Sequence, residues 1–368
     1  MIDPRFANRK RQPGLDLLRA LAIIVVVIYH IGVFGFALPY DLGRFGWVGV
    51  DLFFVLSGYL IGGQLLASLA RDGKISLGRF FARRALRIMP AYLVVLAIYF
   101  GLPALREYPE ISPLWKFLLS VQNIDLRGGT AFSHAWSLAV EDQFYLLLPF
   151  LLLFLRRSRR ARFVVPCAIV LGGLVLRTVL ASRHLEPEGS VSYRAFQRLI
   201  YYPTWGRLDP LVLGVVLAAI EKFRPAWWKY LTSCAPWLWL VGLLTIAYGL
   251  YLGENDLTVA GCAWQFPLVA FGMATLLICA LSPRLPFSRI DIPGATFFAG
   301  IAYSVYLSHK LVIHFATQLS ARHNLPPTSL SAILLVQVLI YLAGIVLFVA
   351  VERPFLLLRH RCAPLTIK

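Results

Sequence analysis

The sequence predicts an all-α, polytopic integral membrane protein with about ten transmembrane helices. Hydrophobic residues make up 59% of the 368 positions, the mean hydropathy is +0.71, and only 15% of the residues are charged. A soluble domain usually carries about 25% charged residues, so lipid is the solvent that fits this composition. The apolar residues are also gathered into runs of about 20, the length that crosses a bilayer.

These runs organise residues 1–368 into a single membrane domain without a long hydrophilic segment, a linker or an internal repeat. The sixth run is the weakest, because Arg207, Asp209 and Pro210 lie near its start. The predicted spans are 15–38, 48–69, 86–104, 134–155, 163–182, 203–220, 231–252, 260–281, 296–319 and 330–351.

The distribution of cations predicts the orientation of the chain. With the N-terminus in the cytoplasm, 24 Lys and Arg residues fall on the cytoplasmic side and 8 on the opposite side. Cytoplasmic loops carry an excess of Lys and Arg, so both termini are expected to be cytoplasmic, and segments 105–133 and 183–202 are expected to face outward. The formal charge of +18 follows from the same rule. No basic helix with interleaved aromatic residues indicates nucleic acid as a partner.

The cysteines and the N-terminus indicate no other class of protein. The five cysteines show no Cys-x-x-Cys spacing and at least three lie in or beside apolar runs, which favours neither a disulfide framework nor a metal site. A basic stretch at 9–11 precedes the first run, as in a signal peptide. The run is long, lacks a small-residue cleavage site and contains Arg19 and His30, so an uncleaved first helix is expected.

Ionisable side chains inside the spans are the first candidates for a functional site, because each costs at least about 2.5–3.5 kcal/mol to insert at mid-bilayer. Arg19 and His30 are 11 residues apart on the first span, hence on one helix face and about 16 Å apart. Arg19 has a structural alternative, pairing with Asp16 or reaching lipid phosphate. A buried and satisfied histidine is the alternative for His30.

Glu141, on the fourth span, is predicted to lie at a depth close to that of His30. The two groups are therefore expected to meet in one cavity, with His134 on the same face as Glu141. The alternative is a glutamate at the outer interface that pairs with a neighbouring arginine.

Arg83, Arg84 and Arg87 gather at the cytoplasmic end of the third span, where spacings of three and four residues let them converge. Guanidinium groups suit phosphate, although cytoplasmic loops attract arginine for topological reasons alone.

Among the remaining polar residues of the spans, Asp209 is expected to neutralise Arg207 locally. The other polar residues inside the spans are Asp51, Tyr59, Tyr303, Tyr306, His309, Lys310 and His314, and Glu352 ends the tenth span.

The ordered set of these motifs resembles the bacterial membrane-bound acyltransferase-3 family. The Arg-(ten residues)-His element is weak evidence alone, whereas the complete order is specific. No C-terminal periplasmic esterase-like domain, which some relatives carry, is expected here. The segments that carry the resemblance are 15–22 with His30, 49–59, 83–92, 137–149, 303–309 and 352–354.

The resemblance implies ten spans in the bacterial inner membrane, with cytoplasmic acyl-CoA, by default acetyl-CoA, as the donor. It implies O-acylation of a glycan, a glycolipid or another hydroxyl acceptor, without a metal. Carried over by position, the resemblance implies that His30 is catalytic, that Glu141 is its partner, and that Arg19, Arg83, Arg84 and Arg87 bind the donor. Further candidates are Asp16, Asp51, Ser137, Tyr306 and His309.

The residues themselves are compatible with this chemistry. A histidine suits the base that removes a hydroxyl proton during acyl transfer, and Glu141 is expected to fix its tautomer. No Gly-x-Ser-x-Gly element is present, which favours direct transfer over a seryl intermediate; an acyl-histidine relay is a second route.

Two other functions compete with this hypothesis. A proton-coupled secondary transporter would use His30, Glu141 and His309 as a proton relay, but the sequence lacks the matched broken helices typical of two-fold transporters. An inactive scaffold in a polysaccharide-export assembly would tolerate replacement of His30.

Overall fold

The computed structural model describes residues 12–36, 43–254 and 257–362. Within these ranges the chain forms a bundle of α-helices joined by short 3₁₀ and π-helical turns. The helices are α1 (Pro13–Val33), α2 (Val48–Asp72), α3 (Leu77–Gly101), α4 (Leu114–Leu118), α5 (Trp136–Leu155), α6 (Ala161–Arg183), α7 (Tyr193–Phe196), α8 (Asp209–Phe223), α9 (Pro225–Ser233), α10 (Ala235–Glu254), α11 (Val259–Leu281), α12 (Ala295–Arg322), α13 (Leu330–Leu347) and α14 (Arg353–Cys362).

Nine helical segments of the described residues are long and apolar enough to cross a membrane, which confirms the all-α polytopic membrane fold. The predicted sixth span differs from a transmembrane helix. It consists of a 3₁₀ turn, Thr204–Gly206, followed by α8. With 15 residues, α8 is about 22 Å long, shorter than the roughly 30 Å hydrocarbon core. This helix begins at Asp209 and has Pro210 in its first turn, where a helix tolerates proline.

The third helix also differs from its prediction, because α3 begins at Leu77 rather than at 86. Arg83, Arg84 and Arg87 therefore project from an ordered helix and not from a loop. The cations Arg5, Arg9, Lys10 and Arg11, which contributed to the predicted orientation, lie outside the described residues. The cytoplasmic position of both termini stays a prediction.

The centre of the bundle is formed by α1, α2, α11 and α12, and α6 and α10 lie at its periphery. α1 packs against α2 and α12, and α11 packs against α10 and α6. The peripheral helices expose large apolar side chains, as lipid-facing helices do. Examples are Phe163 and Leu171 on α6 and Trp237 and Leu244 on α10.

Glycines let α2 and α8 approach closely. A Cβ atom on Gly58 would lie 2.0 Å from the carbonyl oxygen of Leu211, and one on Gly214 would lie 2.2 Å from that of Val55. Small residues are the usual means of bringing membrane helices into backbone contact. The short helix α8 is thereby fixed against the central helix α2.

Segment 114–126, expected to face outward, lies partly inside the bundle. The Tyr92 hydroxyl donates to the carbonyl oxygen of Phe117 at 3.1 Å, and the Ser120 hydroxyl donates to Asp142 at 3.0 Å. Tyr92 is nine residues before the end of α3 at Gly101, hence about 13 Å from that end. The segment therefore packs against α3 and α5 instead of lying wholly outside the bundle.

Candidate functional site

Two cavities occupy opposite ends of the bundle. We name the inner cavity after the end where α1 begins, which the sequence predicts to be cytoplasmic. The outer cavity has a volume of about 760 Å³ and the inner cavity one of about 350 Å³. Residues of the outer cavity include Tyr29, His30, His134, Trp136, Tyr201 and Lys310. Residues of the inner cavity include Arg19, Ser57, Arg84, Arg87, Glu141 and Arg359.

Val50 of α2 and Tyr306 of α12 line both cavities, so they belong to the wall between them. The Tyr306 hydroxyl donates to the carbonyl oxygen of His134 at 2.8 Å and lies 2.6 Å from the Ser137 hydroxyl. The structure thus brings together Tyr306 and Ser137, two of the predicted candidates, at the boundary between the cavities.

His30 is held by the backbone of its own helix. Its Nδ1 lies 2.9 Å from the carbonyl oxygen of Val26. A carbonyl oxygen only accepts hydrogen bonds, so Nδ1 carries the proton and Nε2 of the neutral ring has a free lone pair. This backbone contact fixes the tautomer, the task that the sequence analysis assigned to Glu141.

His30 belongs to a cluster of three histidines. The ring centroid of His309 lies 4.6 Å from that of His30 and 4.7 Å from that of His134, and His30 and His134 are 6.4 Å apart. Within the described part of the chain, His309 Nε2 and His134 Nδ1 are buried without a hydrogen-bond partner. The same residues include no group of His, Cys, Asp or Glu arranged to hold a metal ion. The cluster therefore contains two buried ring nitrogens that have no hydrogen-bond partner in the described part of the chain.

Lys310, also in the outer cavity, forms a buried ion pair that the sequence did not indicate. Its ammonium lies 3.2 Å from Glu107 Oε1 and donates to the Ser133 hydroxyl at 2.9 Å. Glu107 was missed because its segment was expected to be outside the membrane. Burial and the neighbouring Glu107 raise the pKa of the Tyr108 phenol, so this cavity-lining hydroxyl stays protonated and able to donate a hydrogen bond.

The inner cavity collects arginines from three helices. Arg19 pairs with Asp16 at 3.3 Å, which was the alternative to a functional role for Arg19, and it also lines the cavity. Arg84 lies 5.4 Å from the centre of the Tyr145 ring. Arg359 of α14 adds a cation that the sequence analysis did not single out.

The predicted three-arginine patch is correct only in part. Arg84 and Arg87 line the inner cavity, whereas Arg83 is not among its lining residues. Consecutive residues project about 100° apart around a helix, so Arg83 and Arg84 face different directions. Arg87 also forms an ion pair with the buried Glu352 at 2.6 Å, which joins α3 to the end of the tenth span.

The prediction that Glu141 and His30 meet in one cavity is wrong. Glu141 lines the inner cavity, where its carboxylate accepts hydrogen bonds from Ser57 at 2.9 Å and Tyr145 at 2.7 Å. His134, seven residues earlier and just before α5, is the member of the histidine cluster that this part of the chain contributes. Glu141 lies two helical turns, about 10 Å, further inward.

The local pairing of Arg207 with Asp209 is also wrong. Arg207 pairs with Asp51 of α2 at 2.8 Å, and Asp209 pairs with Arg177 of α6 at 2.6 Å. All four side chains are buried. Asp51, a predicted site candidate, is thus engaged in a structural ion pair.

The described residues thus form a helical membrane domain with a cationic inner cavity and a histidine-containing outer cavity. A family model described as an acyltransferase domain matches residues 12–352. The chain belongs to the acyltransferase-3 family.

Two similar proteins described as O-acetyltransferases support this membership. The O-acetyltransferase OatA of Staphylococcus aureus (strain NCTC 8325 / PS 47) is 27% identical over 345 residues, which cover 89% of this chain and 54% of that protein. The peptidoglycan O-acetyltransferase OatA of Listeria monocytogenes is 34% identical over 235 residues, covering 59% of this chain and 35% of that protein. The chain thus spans about half the length of the S. aureus relative. No solved structure matches the present chain.

Proposed function

We propose that the protein is an O-acetyltransferase of the bacterial cytoplasmic membrane, which moves an acetyl group from acyl-CoA to a hydroxyl of a cell-envelope glycan. The observation that carries this proposal is the arrangement of α1, whose Arg19 lines the inner cavity and whose His30 lines the outer cavity. The two residues are about 16 Å apart along the helix. Coenzyme A phosphates would bind the arginines, with the thioester extended toward the wall.

His30 acts as the base in this mechanism. Its Nε2 takes the proton of the acceptor hydroxyl while the hydroxyl oxygen attacks the thioester carbonyl. The new C–O bond forms, the C–S bond breaks, and the proton passes to the leaving sulfur. The products are an ester and coenzyme A thiol, so atoms and charge balance. The Lys310 ammonium, which has three N–H donors and uses two of them on Glu107 and Ser133, is the nearby donor suited to stabilise the negative oxygen.

The outer cavity suits a sugar acceptor. Aromatic side chains present flat apolar faces together with polar edges, and Tyr29, Trp136 and Tyr201 are among those that line it. The names of the relatives, one of them a peptidoglycan O-acetyltransferase, support a glycan acceptor. Glu141 serves the donor side, where it offsets the charge of the inner arginines.

The test uses the purified full chain in lipid nanodiscs with radiolabelled acetyl-CoA and an extract of cell-envelope glycan. We expect label in the glycan with wild type and none with His30→Ala. His184→Ala is the matched control, because His184 also places Nδ1 2.9 Å from the carbonyl oxygen four residues earlier but is exposed. Equal transfer by His30→Ala would remove His30 from the mechanism. Absence of transfer by wild type, with proton uptake into vesicles, would favour the transporter.

A further inference from the structure

The two side chains that line both cavities are themselves almost completely buried. Val50 is 5% exposed and Tyr306 is 6% exposed, although both line the inner and the outer cavity. Phe53 of the inner cavity packs edge-on against Tyr306 with ring centroids 6.4 Å apart. The wall between the two cavities is therefore formed by buried side chains.

The wall is also held firmly in place. A Cβ atom on Gly49 would lie 2.5 Å from the carbonyl oxygen of Ala22 and 2.8 Å from a methyl group of Val26. The backbone beside Val50 is thus pressed against α1, at the residue whose carbonyl oxygen holds His30. On the opposite side, the Tyr306 hydroxyl is tied to α5 through the His134 carbonyl and Ser137. Widening the wall would require movement of α1, α2 or α12, which packed interiors resist.

We propose that Val50 and Tyr306 limit the length of the acyl group that the protein transfers. The inference rests on the proposed function, in which the acyl carbon meets the acceptor beside His30 while coenzyme A stays in the inner cavity. The acyl chain must then occupy the space at the wall when the C–S bond breaks and the C–O bond forms. Acetyl places one methyl group there, and each additional methylene collides with Val50 or the Tyr306 ring. A longer acyl chain changes how the donor fits at the wall and leaves the transfer reaction itself unchanged.

The experiment measures transfer from acetyl-, propionyl- and butyryl-CoA by the purified full chain. One methylene in a fitted pocket changes selectivity by roughly 10–200-fold, so wild type should strongly prefer acetyl. Val50→Ala should raise the ratio of butyryl to acetyl transfer by about tenfold or more. Val55→Ala is the matched control, because Val55 lies on the same helix, is fully buried and is absent from the lining of both cavities.

A second variant tests this limit on acyl length, the acyl-length filter, in the opposite direction. Val50→Ile adds one methylene to the wall and should lower propionyl transfer relative to acetyl transfer, whether or not Val50→Ala folds. Wild type that uses butyryl-CoA as well as acetyl-CoA, or variants with unchanged ratios, would overturn the filter and leave the acetyltransferase standing. Wild type that transfers no acyl group would overturn both proposals.

Discussion

Arg207 forms its ion pair with Asp51, 156 positions away in the chain, and not with Asp209, two positions away. The guanidinium of Arg207 also lies 4.1 Å from the centre of the Phe266 ring and 5.0 Å from that of Tyr201. This contact joins the start of α8 to α2 and α11. It also supports Tyr201, which lines the outer cavity.

Asp51→Asn should destabilise the fold because it leaves the Arg207 charge buried without a counter-ion. Breaking a buried pair from one side costs about 3–5 kcal/mol, which thermal unfolding in detergent would detect as a clear fall in Tm. Asp72→Asn, which removes an exposed carboxylate paired with Arg71, is the control and should leave Tm unchanged. An equal Tm for wild type and Asp51→Asn would show that the pair is not needed for stability.

Gly58→Ala should disrupt the packing of α2 on α8. The added Cβ would lie 2.0 Å from a backbone oxygen, whereas on Gly63 it would meet nothing closer than the Ala218 Cβ at 3.7 Å. Gly63→Ala on the same helix should therefore be neutral or stabilising, since alanine favours a helix by about 1 kcal/mol over glycine. The yield of folded protein after size-exclusion chromatography compares the two. Similar yields would contradict the close contact.

Arg84→Gln should weaken binding of the donor, because hydrogen bonds to charged groups contribute about 1.5–3 kcal/mol each. We expect the KM for acetyl-CoA to rise about tenfold or more, with a smaller change in kcat. Arg83→Gln removes the same charge from a residue outside the lining of the inner cavity and serves as the control. If both variants raised KM equally, the effect would be one of general charge rather than of the cavity.

Glu141→Gln should impair the donor side of the reaction and leave the pH profile unshifted. The Val26 carbonyl, and not Glu141, holds the His30 ring, so the tautomer survives the change. The amide accepts a hydrogen bond through only one atom, so the bonds from Ser57 and Tyr145 compete for it. Steady-state kinetics should show a higher KM for acetyl-CoA and an unchanged KM for the acceptor. A displaced pH optimum would return Glu141 to the role of partner of His30.

Apolar runs were sufficient to predict the membrane fold, since each long run must form a helix in lipid. They were insufficient at 203–220, where Arg207 lies in the turn before α8 and pairs with α2, and Asp209, the first residue of α8, pairs with α6. Those partners are remote in the chain, so the local pairing expected from sequence failed for the same reason.

The candidate site was predictable by residue type and less so by position. Arg19 and His30 lie on one helix, as predicted, and each lines one of the two cavities. Glu141 was misplaced because depth alone was used to place it beside His30, whereas its hydrogen bonds with Ser57 and Tyr145 hold it at the inner cavity. Helical spacing also does not predict which face of a helix lines a cavity. In the packed bundle Arg84 lines the inner cavity and Arg83 does not.

The buried wall at Val50 and Tyr306 has an electrical consequence. A membrane potential of 100 mV does about 2.3 kcal/mol of work on each elementary charge that crosses the bilayer. In the proposed function the acetyl group that crosses the wall is neutral, so the field does no net work on it, whereas a hydrated cation would have to shed water among buried side chains. We therefore expect vesicles that contain the protein to hold an ion gradient while acetyl transfer proceeds.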